Sequence, residues 1–401
     1  MSAVSRKSRM ATSVARVMYT NAVYFPSSRI YQGDSPGMLN YGCINHVYYA
    51  YASVTADGSV FLGDEWADAR APVDGVQGGL GSLMHLKQRH PHLQVVLSIG
   101  GSTASEVFPV VASSTLLRDN FARSALGLVE ASGLDGIDSE YEKNITSGGL
   151  MVQEAPAIII NQFTHTRTHT CKVPANRTLA GIVAWEFPSE AKHGHDFLAL
   201  LAAVRIHLPD DRFILTAVLP AAKEVLDLID LKTAAEYLDY INLVAYDFFG
   251  TWTSKSGHHA QLYTMNKDEP SASSGVAHLM AQGFPPKSIL LGIPTYGRSF
   301  LKANGPGQDF NGVGGQEGTF EYSELPRKGC KEIVDRRYIA AQCVGGDGGF
   351  VTYDNPETVK VKAEFCKQKG LGGLFYWNGP ADSRDQARSL IAAGFRALHT
   401  S

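Results

Sequence analysis

Apolar, β-branched and aromatic residues recur along the chain in short runs: 17–25, 44–54, 93–99, 134–138, 213–219, 240–246, 289–296 and 373–377. Runs of this length, bounded by polar or glycine-containing segments, predict eight strands. Between them lie stretches whose apolar positions follow helical spacing, among them Leu116 to Ala131, Phe197 to His207, Ser274 to Gln282 and Val359 to Lys369. The order therefore reads strand then helix, repeated. Such alternation predicts parallel strands with helices packed outside, and eight repeats predict a closed (β/α)8 TIM barrel. An open, doubly wound sheet is the alternative architecture.

Two segments break the alternation. Residues 300–349 are glycine-rich with short strand-like pieces, Gly318 to Tyr322 and Arg337 to Ala341, and read as a small α+β insertion between strands seven and eight. Ser139 to Ile182 has no sustained periodicity, and a stretch of that length without structure is foreign to a compact domain. The expected boundaries are an N-terminal segment over 1–15, a barrel over 16–299 and 350–398 interrupted by 139–182, and the insertion over 300–349.

Composition narrows the function classes. The chain has 401 residues, a formal charge of −3 and 44% hydrophobic residues, enough for one large core and too little positive charge for a typical nucleic-acid binder. Its five cysteines include no CxxC pair, so neither a zinc ribbon nor thioredoxin chemistry is expected. His165, His169 and Cys171 fall inside the aperiodic segment, and no metal or cofactor is expected there or elsewhere. Arg6, Lys7 and Arg9 precede no apolar stretch of signal-peptide length before Arg16, and no run of 18 apolar residues occurs, so neither a secretory signal nor a membrane span is expected.

In a barrel, reacting groups sit at the C-terminal ends of strands. Strand three closes on Ser98-Ile-Gly-Gly101, strand four on Asp135-Gly-Ile-Asp138, strand six on Tyr246-Asp247 and strand eight on Phe375-Tyr-Trp377. Each has a structural explanation by itself: a tight turn, a helix cap, a core aromatic. Together, at matching topological positions, they resemble the chitinase family, family 18 of the glycoside hydrolases. Gly292-Ile-Pro-Thr-Tyr-Gly-Arg298 and Gly370-Leu-Gly-Gly-Leu-Phe-Tyr-Trp377 extend the resemblance over Arg16 to Leu398.

The resemblance implies hydrolysis of β-1,4-linked N-acetylglucosamine by a substrate-assisted route. A Glu in Asp-x-x-Asp-x-Asp-x-Glu protonates the glycosidic oxygen while the substrate's acetamide attacks the anomeric carbon. On that basis Asp135, Asp138, Tyr246 and Asp247 are candidate catalytic residues. Trp377, Gly101, Tyr296, Arg298, Tyr24 and Tyr51 are candidates for substrate binding, the two tyrosines as aromatic walls, with core packing an equal account of them. The implied partner is chitin or a chitooligosaccharide, taken up by a monomer.

The chain departs from the family pattern at strand four. Val183-Ala-Trp-Glu-Phe-Pro188, which the family places directly after the second Asp, comes only after Ser139 to Ile182. Ser139-Glu-Tyr written as AGT GAG TAC contains the splice-donor consensus GTGAGT, and Ile182-Val183 written as ATA GTN supplies an acceptor AG. The segment is thus expected to be translated intron, with a true loop insertion as the alternative. Joining its flanks gives Asp-Gly-Ile-Asp-Ile-Ala-Trp-Glu, in which Glu186 is the acid and Ala184 stands where the third Asp belongs. The chain as written holds a competing match, with Glu140 third and Glu142 at the acid position; the surrounding Trp185 and Phe187-Pro188 favour Glu186. The missing carboxylate keeps a second reading open, a chitin-binding lectin without catalysis. Cleavage of N-glycan cores is a third, against which the groove-deepening insertion argues.

Overall fold

The computed structural model describes residues 18–101, 107–140, 190–346 and 348–400. Its centre is a closed barrel of eight parallel strands: β1 (Thr20–Pro26), β2 (His46–Val54), β3 (Gln94–Gly100), β4 (Gly136–Glu140), β5 (Ile214–Pro220), β6 (Tyr240–Val244), β7 (Ile289–Pro294) and β8 (Gly373–Trp377). Each strand pairs with its sequence neighbour, and β8 pairs with β1 to close the ring. The eight expected strands are therefore present, with ends moved by a few residues. Helices fill most crossovers, notably Gly79–Arg89, Thr115–Ser132, Ala191–His207, Ala272–Ala281, Pro356–Lys369 and Leu390–His399. The β1–β2 crossover instead holds two 3-10 turns, Ser27–Gln32 and Pro36–Met38.

Local chemistry fixes the helix ends. Ser114 accepts from Leu117 N at the start of Thr115–Ser132, and Gly133, at φ 70°, ends it in the left-handed conformation that glycine adopts without a steric penalty. Asn355 and Thr358 cap Pro356–Lys369 reciprocally.

Strand alternation sorts the core into two parts. Val23, Val47, Leu97, Ile137, Leu215, Ile241, Leu291 and Leu374 face outward into the main core beneath the helices. Ala22, Tyr24, Tyr48, Val96, Val218, Leu290 and Phe375 form a separate cluster that fills the barrel. The inward series also carries Ser98, Asp138, Thr216 and Asn242, all fully buried. Burying polar groups in this layer is tolerable only because they bond one another.

The insertion between β7 and β8 is a five-stranded antiparallel sheet. Its first and last strands along the chain, Tyr296–Phe300 and Phe350–Tyr353, pair with each other inside the sheet and reach beyond the expected 300–349. Among its described residues the helical part is one 3-10 turn, Tyr322–Glu324. Ser139 and Glu140 continue β4, pairing with Ile99 and Gly100, while 141–189 lie outside the described residues.

Candidate active site

Asp138 is the hub at the top of the barrel. Its Oδ2 accepts from Tyr24 Oη at 2.7 Å and Ser98 Oγ at 3.0 Å, and its Oδ1 from Thr216 Oγ1 at 2.5 Å and Asn242 Nδ2 at 3.4 Å. These donors come from β1, β3, β5 and β6, so the closed ring itself assembles them. Burial pushes the Asp138 carboxyl above its ordinary value, opposed by the hydrogen bonds from Thr216, Tyr24 and Ser98. Asn242 Nδ2 also donates to Tyr24 Oη at 2.8 Å, tying the donor to the same network.

Tyr24 belongs to this hub and not to a cleft wall. It is 1% exposed, stacks on Tyr48 at 4.7 Å between centroids, and touches Trp377 at 5.2 Å. Tyr49, its counterpart on β2, points outward and donates to Asp68 Oδ1 at 2.7 Å. Tyr51 does reach the cleft, with its ring stacked 5.9 Å from that of Trp377. Gly101 makes that possible, because a Cβ there would meet the Tyr51 ring at 2.9 Å and its φ of 77° suits glycine.

Tyr51 and Trp377 line a cleft of about 480 Å³ above β1, β2 and β8, together with Ser28, Arg29, Gln32, Asp64 and Asn378. Flat rings beside carboxylate, amide and guanidinium groups suit a saccharide, whose rings carry apolar faces and a rim of hydroxyls. Sequence reading missed Arg29 and Gln32, in the 3-10 turn after β1, and Asp64 and Asn378, on loops, none of which carries a periodic signal. Arg29 also pairs with Asp34 and with Glu321 of the inserted sheet, which ties the β1 loop to the insertion.

A second cluster forms at the end of β6. Arg298 grips Asp247 with two parallel bonds, Nε to Oδ1 at 2.5 Å and Nη2 to Oδ2 at 2.7 Å, and stacks over Trp252 at 4.5 Å. Burial works against the charged Asp247, but Arg298 and His259 hold its carboxyl far below the usual range. Tyr246 packs edge-on against Tyr296 at 6.2 Å and Phe375 at 6.4 Å, so the two clusters share the barrel mouth.

Asp135 does not join them. It lies at the other end of strand four, where Oδ2 accepts from Lys87 Nζ at 2.5 Å and from Val95 N at 2.7 Å. The reason is geometric: residues three apart on a strand face opposite sides, so Asp135 and Asp138 cannot both point inward. Glu142, Glu186 and the histidines of 139–182 lie outside the described residues. Among the described residues no group of three or more His, Cys, Asp or Glu side chains is placed to hold a metal, and no helix is long and apolar enough to cross a membrane.

Comparison with known proteins agrees with this arrangement. The family model described as glycosyl hydrolases family 18 matches residues 20–382. Chitinase 1 of Aphanocladium album is 31% identical over 95% of this chain and 85% of its own length. Endochitinase 1 of Metarhizium robertsii is 32% identical over the same shares. The fold matches the catalytic domain 2 of a group II chitinase from Ostrinia furnacalis (TM-score 0.76, 20% identity, 96% of this chain and 97% of that one). It also matches a Cycas revoluta chitinase solved with (GlcNAc)3 (TM-score 0.73, 23% identity, 94% and 98%).

Proposed function

The chain belongs to glycosyl hydrolase family 18, and we propose from this premise that it hydrolyses β-1,4-N-acetylglucosamine linkages in chitin or chitooligosaccharides with retention of configuration. The observation that carries the reading is the Asp138 hub set beside the Trp377–Tyr51 floor. In the substrate-assisted route, the floor supports the apolar face of the sugar. Tyr246 hydrogen-bonds its acetamide, the buried Asp138 tunes the acid by charge from beneath, and that acid, from the end of strand four, protonates the leaving oxygen. Tyr296, Asp247 and Arg298 bound the same mouth from the insertion side. The protein acts as a monomer built from the barrel with its insertion, which its elution volume in gel filtration checks.

The register of strand four bears on which residue is the acid. Because β4 runs on through Ser139 and Glu140 in the chain as written, the position four beyond Asp138 is Glu142. That continuity favours Glu142 here, against the neighbouring residues that favour Glu186. In a chain that joins Asp138 to Ala184 through one Ile, Glu186 takes that position. The test is turnover of a fluorogenic chitobioside and chitotrioside with Glu142→Gln and Glu186→Gln in both chains. Loss in the written chain through Glu142→Gln alone supports the register argument, and loss through Glu186→Gln alone refutes it. Retention on chitin beads without turnover in either chain would leave the lectin reading in place of the enzyme.

A further inference from the structure

Behind the Asp247–Arg298 pair lies a histidine that the chemistry above does not use. His259 is fully buried, with its Nδ1 3.3 Å from Asp247 Oδ1 and its ring 5.3 Å from that of Tyr296. Its main chain is tied to the same turn, since Phe248 N donates to His259 O at 2.9 Å. Asp247 itself sits at φ 59°, a left-handed conformation that a non-glycine residue keeps only when its surroundings hold it.

The contacts select one form of the imidazole. An ionised carboxylate only accepts, so Nδ1 must carry the hydrogen. Nε2 is buried and finds no partner among the described residues. Protonated, it would be a charged donor with nothing to receive it, close to the Arg298 cation and to His258. Asp247 and Asp354 favour the cation, but Asp247 is already gripped by Arg298, and Asp354 Oδ2 accepts from Lys362 Nζ at 2.6 Å. Burial prevails and holds His259 below the usual imidazole value, against the hydrogen bond and charge of Asp247.

We infer that His259 is a positioning residue: a neutral imidazole that donates Nδ1–H to Asp247 and fixes the rotation of that carboxylate beside Tyr246 without adding charge to the site. Arg298 alone leaves the pair free to swing as a unit about the Asp247 side chain. A third contact from a second direction removes that freedom. The role in saccharide binding rests on the function proposed above, whereas the protonation state of His259 does not.

Three substitutions separate this role from packing. Asn places an amide donor where Nδ1 stands, Gln places one nearer Nε2, and Leu keeps the bulk and removes the donor. With chitotetraose titrated into each protein by calorimetry, His259→Asn is expected to stay within about threefold of the parent. His259→Leu and His259→Gln are expected to weaken binding roughly tenfold or more, the scale of a lost hydrogen bond to a charged group. A packing role gives the reverse order, since Leu preserves volume and Asn opens a cavity; that order would overturn the inference. Nitrogen-15 NMR of the parent, labelled on histidine and assigned through His259→Asn, is expected to show the Nδ1–H tautomer unchanged from pH 8 to 5. An imidazolium signal for His259 at pH 7 refutes the inference even if His259→Leu does not fold. A parent that binds no chitotetraose counts against the saccharide reading, and the NMR result then decides on His259 by itself.

Discussion

Replacing Tyr24 by Phe removes one oxygen from the Asp138 hub and leaves the ring stacked on Tyr48. Two bonds disappear: the donation to Asp138 Oδ2 at 2.7 Å and the acceptance from Asn242 Nδ2 at 2.8 Å. The first is a bond to a buried charge, of about 1.5–3 kcal/mol, and the second leaves Asn242 Nδ2 with its longer contact to Asp138 at 3.4 Å, while Asn242 Oδ1 still accepts from Tyr48 Oη at 3.3 Å. A loss of about 2–4 kcal/mol follows. With an unfolding entropy of about 2.1 cal/mol/K per residue, a chain of this size loses about 1–1.5 °C in Tm per kcal/mol, so a fall of roughly 2–6 °C is expected at pH 7. The pH dependence has a definite sign. The native carboxyl of Asp138 is raised above its unfolded value, so its contribution to stability is fully present below about pH 3.9 and is lost as pH rises through the native value. Removing a donor raises the native value further. The deficit of Tyr24→Phe is therefore largest at neutral pH and shrinks on acidification. Thermal and urea unfolding at pH 7 and near pH 4 measure it. An unchanged Tm at pH 7, or a deficit that grows in acid, would refute the account of the hub.

Asp135→Asn is expected to cost about 1–2 kcal/mol in urea unfolding, through the partly exposed Lys87 pair and the Val95 N bond, and to leave kcat on a chitobioside within twofold. A large fall in kcat would return Asp135 to the reacting groups. Lys362→Met strands Asp354, both side chains being 1% exposed, and is expected to cost about 3–5 kcal/mol by the same assay. A neutral result would show that Asp354 finds other partners.

The barrel was legible because its outward and inward faces obey one period. Alternating apolar residues on eight short runs specify strands, and the helical spacing between them specifies parallel crossovers. Asp138, Tyr246 and Trp377 were recoverable as polar or aromatic residues closing strands. Asp135 misled because a linear motif carries no facing information, although its odd spacing from Asp138 already placed the two on opposite sides. Thr216 and Asn242 were hidden for a different reason. Each is an ordinary strand residue until ring closure brings four strands onto one carboxylate. His259 was invisible in the same way, since its partner lies across a turn that no periodicity describes.

Ser139 gives strand four its own test. Its neighbour Asp138 is on the other face, so Ser139 points outward with Ile137 toward the helices, and it pairs with Ile99 and Ala217 in an apolar stretch. It is 4% exposed, and its Oγ is buried without a hydrogen-bond partner among the described residues. An unpaired buried hydroxyl costs about 1–3 kcal/mol, so Ser139→Ala, which removes the oxygen and adds nothing, is expected to stabilise by about 1 kcal/mol or more. Ser139→Ile adds apolar area at the same place, where each further buried methylene contributes about 0.8 kcal/mol if space allows. Joining Asp138 to Ala184 through one Ile puts that residue at this position. If the outward face of strand four is built for an aliphatic side chain, the single Ser139→Ile variant is more stable than Ser139→Ala in urea unfolding. If it is built for serine, the larger side chain overpacks the layer beneath the helices and costs about 1–3 kcal/mol instead. The order of the two variants thus reports whether Ser139 suits the strand that carries it, independently of any assay of activity.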